Sequence, residues 1–260
     1  MTSVSVKCFG VGDGAACGDR NHSAYLYRVG GAALLFDCGE PISRSFKAAG
    51  LSYDLIDRLF VSHLHADHFG GFFMLMQGFW LEKRKKNLPV HLPVDGIAPV
   101  RQMLEAGYLF EELLPFALSL EPLVPECPVV QGEVRVTPFR TTHLDGLRRS
   151  FQKKYPGAYT ACSFLIEADG VRLGHSADLG TPEDLAPLLA QPLDLLVCEL
   201  AHFQPEALFA RLKNHPIKRL VLTHLSRHHW EKIKEVRALA ARALPEVQIT
   251  FASDQQVIEF

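Results

Sequence analysis

The densest group of metal-binding side chains in this 260-residue sequence is VSHLHADHFGG, which presents His63, His65, Asp67 and His68 within six residues. Neutral imidazole nitrogen and carboxylate oxygen are the donors that borderline divalent ions such as zinc accept. In an extended stretch alternate side chains point the same way, so His63 and His65 can reach one ion. Asp67 and His68 lie beyond the bend and are free to reach a second. Gly70 and Gly71 let the chain turn sharply beside so crowded a segment. Any one of these histidines alone reads as a surface or helix-capping residue; four together do not.

The elements that must position them are legible as short apolar runs bounded by glycine or charge. Val4 to Val6, Ala24 to Val29, Ala33 to Phe36 and Leu59 to Val61 read as strands in the first half. Val134 to Phe139, Cys162 to Ile166, Val171 to Leu173, Leu195 to Cys198, Leu220 to Leu222 and Gln248 to Phe251 repeat the signal in the second. Helical periodicity falls at Pro41 to Ala49, Phe72 to Lys86, Ala98 to Ala106, Pro182 to Ala190 and Trp230 to Leu244. Strands grouped within each half, with helices between and after them, point to an α/β protein of α+β layers, an αββα sandwich. No repeat or long linker divides the chain, so a single domain over residues 1–260 is expected.

A formal charge of −2 leaves no global field for nucleic acid or membrane, so a polyanionic partner would need a local patch. Six scattered cysteines without a CxxC pair suit a reducing compartment. Without a signal-peptide pattern or a spanning apolar run, the expected location is cytoplasmic, with no membrane partner.

The pattern H-x-H-x-D-H at residues 63–68 resembles that of the metallo-β-lactamase superfamily. FGVGDG (Phe9 to Gly14), RNHSAYLY and LLFDCGE resemble the opening strands of its RNase Z branch, the tRNA 3′-processing endonucleases. The resemblance implies the metallo-β-lactamase fold and a ligand order. His63, His65 and His143 (in FRTTHLDG) would hold one metal, Asp67, His68 and His224 (in LVLTHLS) the other, and Asp178 (in GHSADLG) would bridge them. Asp37 is expected beneath the metals, bonded to the ligand loop. The implied cofactor is two Zn2+, with Mn2+ or Fe as alternatives. Two such ions, about 3.5–4 Å apart in sites of this kind, would lower the pKa of a bound water and polarise the bond under attack, and Asp67 is expected in the catalytic group.

Where RNase Z carries a His-Glu-Ala-Thr motif, this chain reads LLVCELAHF: Cys198 replaces the histidine and Glu199 is retained. His202 either supplies the missing imidazole as a catalytic acid or sits on the surface at a helix start. His228 and His229 either contact substrate or are solvated. The interval that holds the tRNA-grasping arm in many relatives is only Leu144 to Ala161, with Arg148, Arg149, Lys153 and Lys154; a second basic run spans Lys83 to Lys86. Each run either binds phosphates or is a solvated surface.

The expected function is hydrolysis of a phosphodiester, RNA or small molecule. An ester, lactone or thioester hydrolase on the same site is the alternative, followed by a di-iron redox enzyme and a non-catalytic scaffold. A homodimer is among the assemblies expected.

Overall fold

The computed structural model describes residues 4–260, which divide into two compact units. One comprises the residues up to Val124 together with Ser253–Phe260, the other Pro125–Ala252. In the first, β1 (Ser5–Gly10), β2 (Ala24–Val29) and β3 (Ala32–Phe36) run antiparallel, and β4 (Arg58–Phe60), β5 (Leu88–Leu92) and β6 (Leu118–Pro122) continue the sheet in parallel. A late strand, β14 (Val257–Glu259), completes seven strands by pairing antiparallel with β1.

Parallel neighbours require crossovers. Here they carry α1 (Ile42–Ala48), α2 (Ala66–Phe69), α3 (Phe72–Leu81) and α4 (Val94–Ala106). Leu88, Val90 and Leu92 share one face of β5, and Phe72, Leu75, Met76 and Phe79 share one face of α3; all join one buried cluster. Each such burial contributes roughly 1.5–3 kcal/mol.

The sequence pattern carried α3 on to Lys86, but it ends at Leu81 because Lys83 adopts a left-handed backbone (φ 57°) that turns Arg84 inward. Arg84 is 1% exposed, donates to the carbonyls of Tyr53, Ile56 and Asn87, and lies over the Phe79 and Phe116 rings. Lys86 pairs with Asp57. Arg84 is therefore a core residue rather than part of a solvated basic face.

The second unit repeats the plan. β7 (Val129–Gln131), β8 (Val134–Arg140), β9 (Cys162–Ala168) and β10 (Val171–His175) are antiparallel, and β11 (Leu193–Leu200), β12 (Ile217–Leu225) and β13 (Gln248–Phe251) extend the sheet in parallel. Its helices are α5 (Asp145–Phe151), α6 (Pro205–Leu212), α7 (Arg227–Glu231) and α8 (Ile233–Ala243). Leu196, Cys198 and Leu200 on β11 and Leu220 and Leu222 on β12 pack with Leu208, Phe209 and Leu212 of α6 and Val236 and Ala240 of α8.

The helix expected over Pro182–Ala190 is instead two 3-10 turns, Pro182–Leu185 and Leu188–Ala190. Pro187 lacks the amide that would continue a helix. Likewise Trp230–Leu244 is interrupted at Lys232, which separates α7 from α8. Cys8, Cys38, Cys162 and Cys198 are buried free thiols, and no helix among the described residues is long and apolar enough to cross a membrane.

Candidate metal centre

In the first unit β4 delivers the chain into the histidine-rich loop and α2 receives it, with His65 as the extended residue ahead of the helix. His63 and His68 are buried, Asp67 nearly so. Nε2 of His63 and Nδ1 of His65 are 3.1 Å apart. That approaches the spacing, about 3.3 Å, of two ligand atoms on one tetrahedral zinc with bonds of about 2.0–2.1 Å. His68 Nε2 lies 3.4 Å from Asp67 Oδ2.

Asp37 sits beneath this loop as expected, fully buried in a left-handed conformation (φ 57°). Its Oδ1 accepts the Ser62 amide at 2.7 Å, and its Oδ2 accepts the Ser62 hydroxyl at 2.9 Å and His68 Nδ1 at 2.6 Å. With Nδ1 of His68 held by a carboxylate, Nε2 is the nitrogen left to face a ligand. Ser62 Oγ is also 3.0 Å from His63 Nδ1, so one hydroxyl links Asp37 to a second imidazole. Ser62 was not singled out in the sequence, although it immediately precedes the first histidine. Gly39 makes the packing possible: a Cβ there would collide with the carbonyl oxygen of Asp67.

In the second unit the strand ends supply His143 after β8, Asp178 after β10 and His224 within β12. Asp178 is 2% exposed, and its two oxygens face different imidazoles: Oδ2 lies 3.6 Å from His143 Nε2, and Oδ1 lies 3.4 Å from His224 Nε2. Ala177 and His224 both adopt left-handed backbone, at φ 44° and 49°. The hydroxyl of Thr141 donates to the Asp178 carbonyl at 2.9 Å. Asp184, which forms a capping box with Thr181, also steadies the neighbouring turn by accepting from the Gly180 and Thr142 amides and the Thr142 hydroxyl.

His202 joins this group. Its Nε2 is 3.9 Å from Asp178 Oδ2, and Asp178, Glu199 and His202 converge closely enough to share an ion. Buried Glu199 accepts the amides of Leu179 (2.7 Å), Ala201 (2.8 Å) and His202 (3.2 Å), as well as His202 Nδ1. Cys198, one residue earlier, is fully buried, and burial raises its thiol pKa, so it keeps its proton. His229 is buried with Nδ1 2.7 Å from the Leu200 carbonyl, whereas His228 is exposed. His229 is thus neither solvated nor free to turn. Arg148, Arg149, Lys153 and Lys154 are exposed on and after α5, which buries no side chain.

This architecture is the metallo-β-lactamase fold. Over 99% of the chain it matches the whole of the metallo-β-lactamase fold protein YhfI from Bacillus subtilis at a TM-score of 0.76 and 20% identity. It matches human tRNase Z, short form, at 0.74 and 22% identity, over 98% of both chains. A family model described as Anti-Pycsar protein Apyc1 matches residues 4–213, and the chain belongs to that family, within the RNase Z-like part of the superfamily. Ribonuclease Z of Archaeoglobus fulgidus is 33% identical over 127 residues, 48% of this chain and 40% of the relative. That of Protochlamydia amoebophila is 26% identical over 250 residues, 80% of this chain and 81% of the relative. The chain spans about two fifths of the length of the first curated relatives it matches.

Proposed function

We propose that the protein is a metal-dependent phosphodiester hydrolase. The observation that carries the reading is Asp178, whose two carboxylate oxygens face different imidazoles, as a ligand shared by two ions must. The donor chemistry fits zinc: neutral nitrogens and carboxylate oxygens, two of the imidazoles held from behind through the Asp37–Ser62 pair. His63, His65 and His143 would hold one divalent ion, and Asp67, His68 and His224 a second, with Asp178 common to both. When bound, such ions lower the pKa of water and polarise the oxygens of the bond under attack.

The chain's own residues supply the rest. Asp37 and Ser62 fix the orientation of the His63 and His68 rings. Glu199 accepts hydrogen bonds from three backbone amides and from His202 Nδ1, so that in its doubly protonated form His202 would present Nε2–H to a departing oxygen and be left neutral after giving up that proton. Asp67 provides a further carboxylate beside the reacting group.

Ribonuclease Z relatives favour a phosphodiester over a carboxylic ester, lactone or thioester. Between whole tRNA and a small phosphodiester, the interval from 144 to 161, with only the seven-residue α5, favours the smaller substrate. Buried, unbridged thiols suit a reducing cytoplasm. The exposed side chains of Met103, Tyr108, Phe110 and Leu113 offer apolar surface on which a homodimer could form. The test is metal analysis joined to a panel of bis(p-nitrophenyl) phosphate, a lactone, a thioester and pre-tRNA. Metal-dependent hydrolysis of the phosphodiester is expected; rapid carbonyl hydrolysis with every phosphodiester untouched would replace this reading.

A further inference from the structure

The loop between β1 and β2 is closed at its neck by a residue that lies more than two hundred positions away. Gly12 N donates to Asn21 O at 2.8 Å, joining the two arms. Asp254 then spans both, accepting the Val11 amide at 3.1 Å on Oδ1 and the Asn21 amide at 2.7 Å on Oδ2. The Asn21 side chain donates onward to the Phe9 carbonyl at 2.9 Å and to Ser45 Oγ at 3.1 Å. Asp254 is itself held in a turn: Gln256 Oε1 accepts the Ser253 amide at 3.0 Å, and Gln256 O accepts the Cys8 amide at 2.9 Å.

Beyond this neck the loop runs out to Gly14, Ala15 and Ala16, which are exposed. Its backbone passes directly against the ligand loop, for a Cβ at Gly14 would lie 3.4 Å from Asp67 Oδ2. A side chain larger than hydrogen would sit against that carboxylate. The clamp at Asp254 and the tip at Gly14 are thus the two ends of one short segment whose outer end borders Asp67.

We infer that Asp254 is a positioning residue for the site: by locking the neck of the 12–20 loop it fixes the loop tip beside Asp67, where the tip meets incoming substrate. A carboxylate bonded to two backbone amides is a stiff, bidentate brace, and rigid placement of a substrate-facing segment acts on binding before it acts on the bond-breaking step. Burial raises the Asp254 pKa above the usual carboxylate range, so keeping it ionised at neutral pH costs the fold stability.

The kinetic half of the test rests on the phosphodiesterase reading; the structural half does not. In zinc-loaded full-length protein, Asp254→Asn leaves an amide nitrogen opposite one of the two backbone donors. Amide hydrogen exchange over residues 11–21 should then quicken by about tenfold, with metal content and circular dichroism unchanged. KM for bis(p-nitrophenyl) phosphate should rise about fivefold with kcat nearly constant.

The loop tip is tested separately at exposed Ala15. Ala15→Lys should lower KM and Ala15→Glu raise it, each by about two- to fivefold at low salt, and both effects should shrink when combined with Asp254→Asn. A role in stability alone would not reverse with the sign of the charge. Unchanged exchange in Asp254→Asn, or equal KM values for the two Ala15 variants, overturns the inference. If Asp254→Asn does not fold, Gln256→Ala, which loosens the turn that carries Asp254, should give the same signature more weakly; no change in exchange would again overturn it. If no phosphodiester is cleaved, that reading fails by itself, while the exchange measurement still decides the clamp.

Discussion

His202 Nδ1 lies 2.8 Å from Glu199 Oε1, and the same carboxylate accepts the amides of Leu179, Ala201 and His202. The imidazole is therefore oriented by a group that is itself fully occupied, and Nε2 projects toward Asp178 at 3.9 Å. If Nε2 protonates the leaving oxygen, His202→Ala should lose about 100-fold or more on a phosphodiester whose leaving group is an alkoxide. It should lose far less on one that leaves as p-nitrophenolate. Equal losses on the two substrates would remove His202 from proton transfer.

Metal stoichiometry offers an independent check. Gently purified protein should carry close to two divalent ions per chain. Asp178→Ala should lower both occupancy and turnover, since the variant removes a ligand proposed to serve both ions. Chelator should abolish activity, and zinc or manganese should restore it. A fully active Asp178→Ala protein would overturn the ligand assignment.

Asp37 and Ser62 are expected to act through the imidazoles they hold. Asp37→Asn should weaken metal affinity by about 10- to 100-fold, and Ser62→Ala by less, because His68 keeps its carboxylate in the second variant. Competition with a fluorescent chelator reads this without recourse to activity. Equal affinities in wild type and Asp37→Asn would show that the carboxylate serves the fold alone.

His91 provides a pH prediction. Burial is the main cause that pushes its pKa down to about 4; nearby Glu121 opposes the shift, and Arg58, with Nη1 2.9 Å from His91 Nε2, adds to it. The unfolded chain protonates this residue near 6.5 while the folded chain does not. Stability should therefore be fully present above about 6.5 and decline as pH falls towards about 4. Arg58→Met should move the His91 titration upward in NMR spectra. A His91 that already titrates near 6.5 in the wild type would contradict the assignment.

The His63–His68 cluster was legible from residue type and spacing alone, whereas His143, Asp178 and His224 were expected only through the family resemblance. Of the residues that brace them, Asp37 was expected from the resemblance, but Ser62, Asp184 and Asp254 were not. Ser62 meets Asp37 across 25 positions, Asp184 meets Thr142 across 42, and Asp254 meets Val11 across 243. No local pattern encodes such pairings. The fold shows the same divide: strands rich in branched and aromatic residues were read, while β5 (LPVHL) and β6 (LSLEP) were hidden by proline and polar residues. Short α5 escaped because seven residues, with Leu147 and Phe151 as their only large apolar pair, are too few to establish a helical period.

β14 and Asp254 belong to the first unit yet follow all of Pro125–Ala252 in the chain. A ribosome delivers the chain in order, so the first sheet stays one strand short until the whole second unit has been synthesised. During that interval the outer edge of β1 displays unpaired backbone groups of the kind that attract strands from other molecules. The histidine-rich loop of the first unit has by then already emerged. A nascent chain therefore carries its histidine-rich loop well before the strand that covers the β1 edge exists, and that period is when shielding of the open edge would matter most.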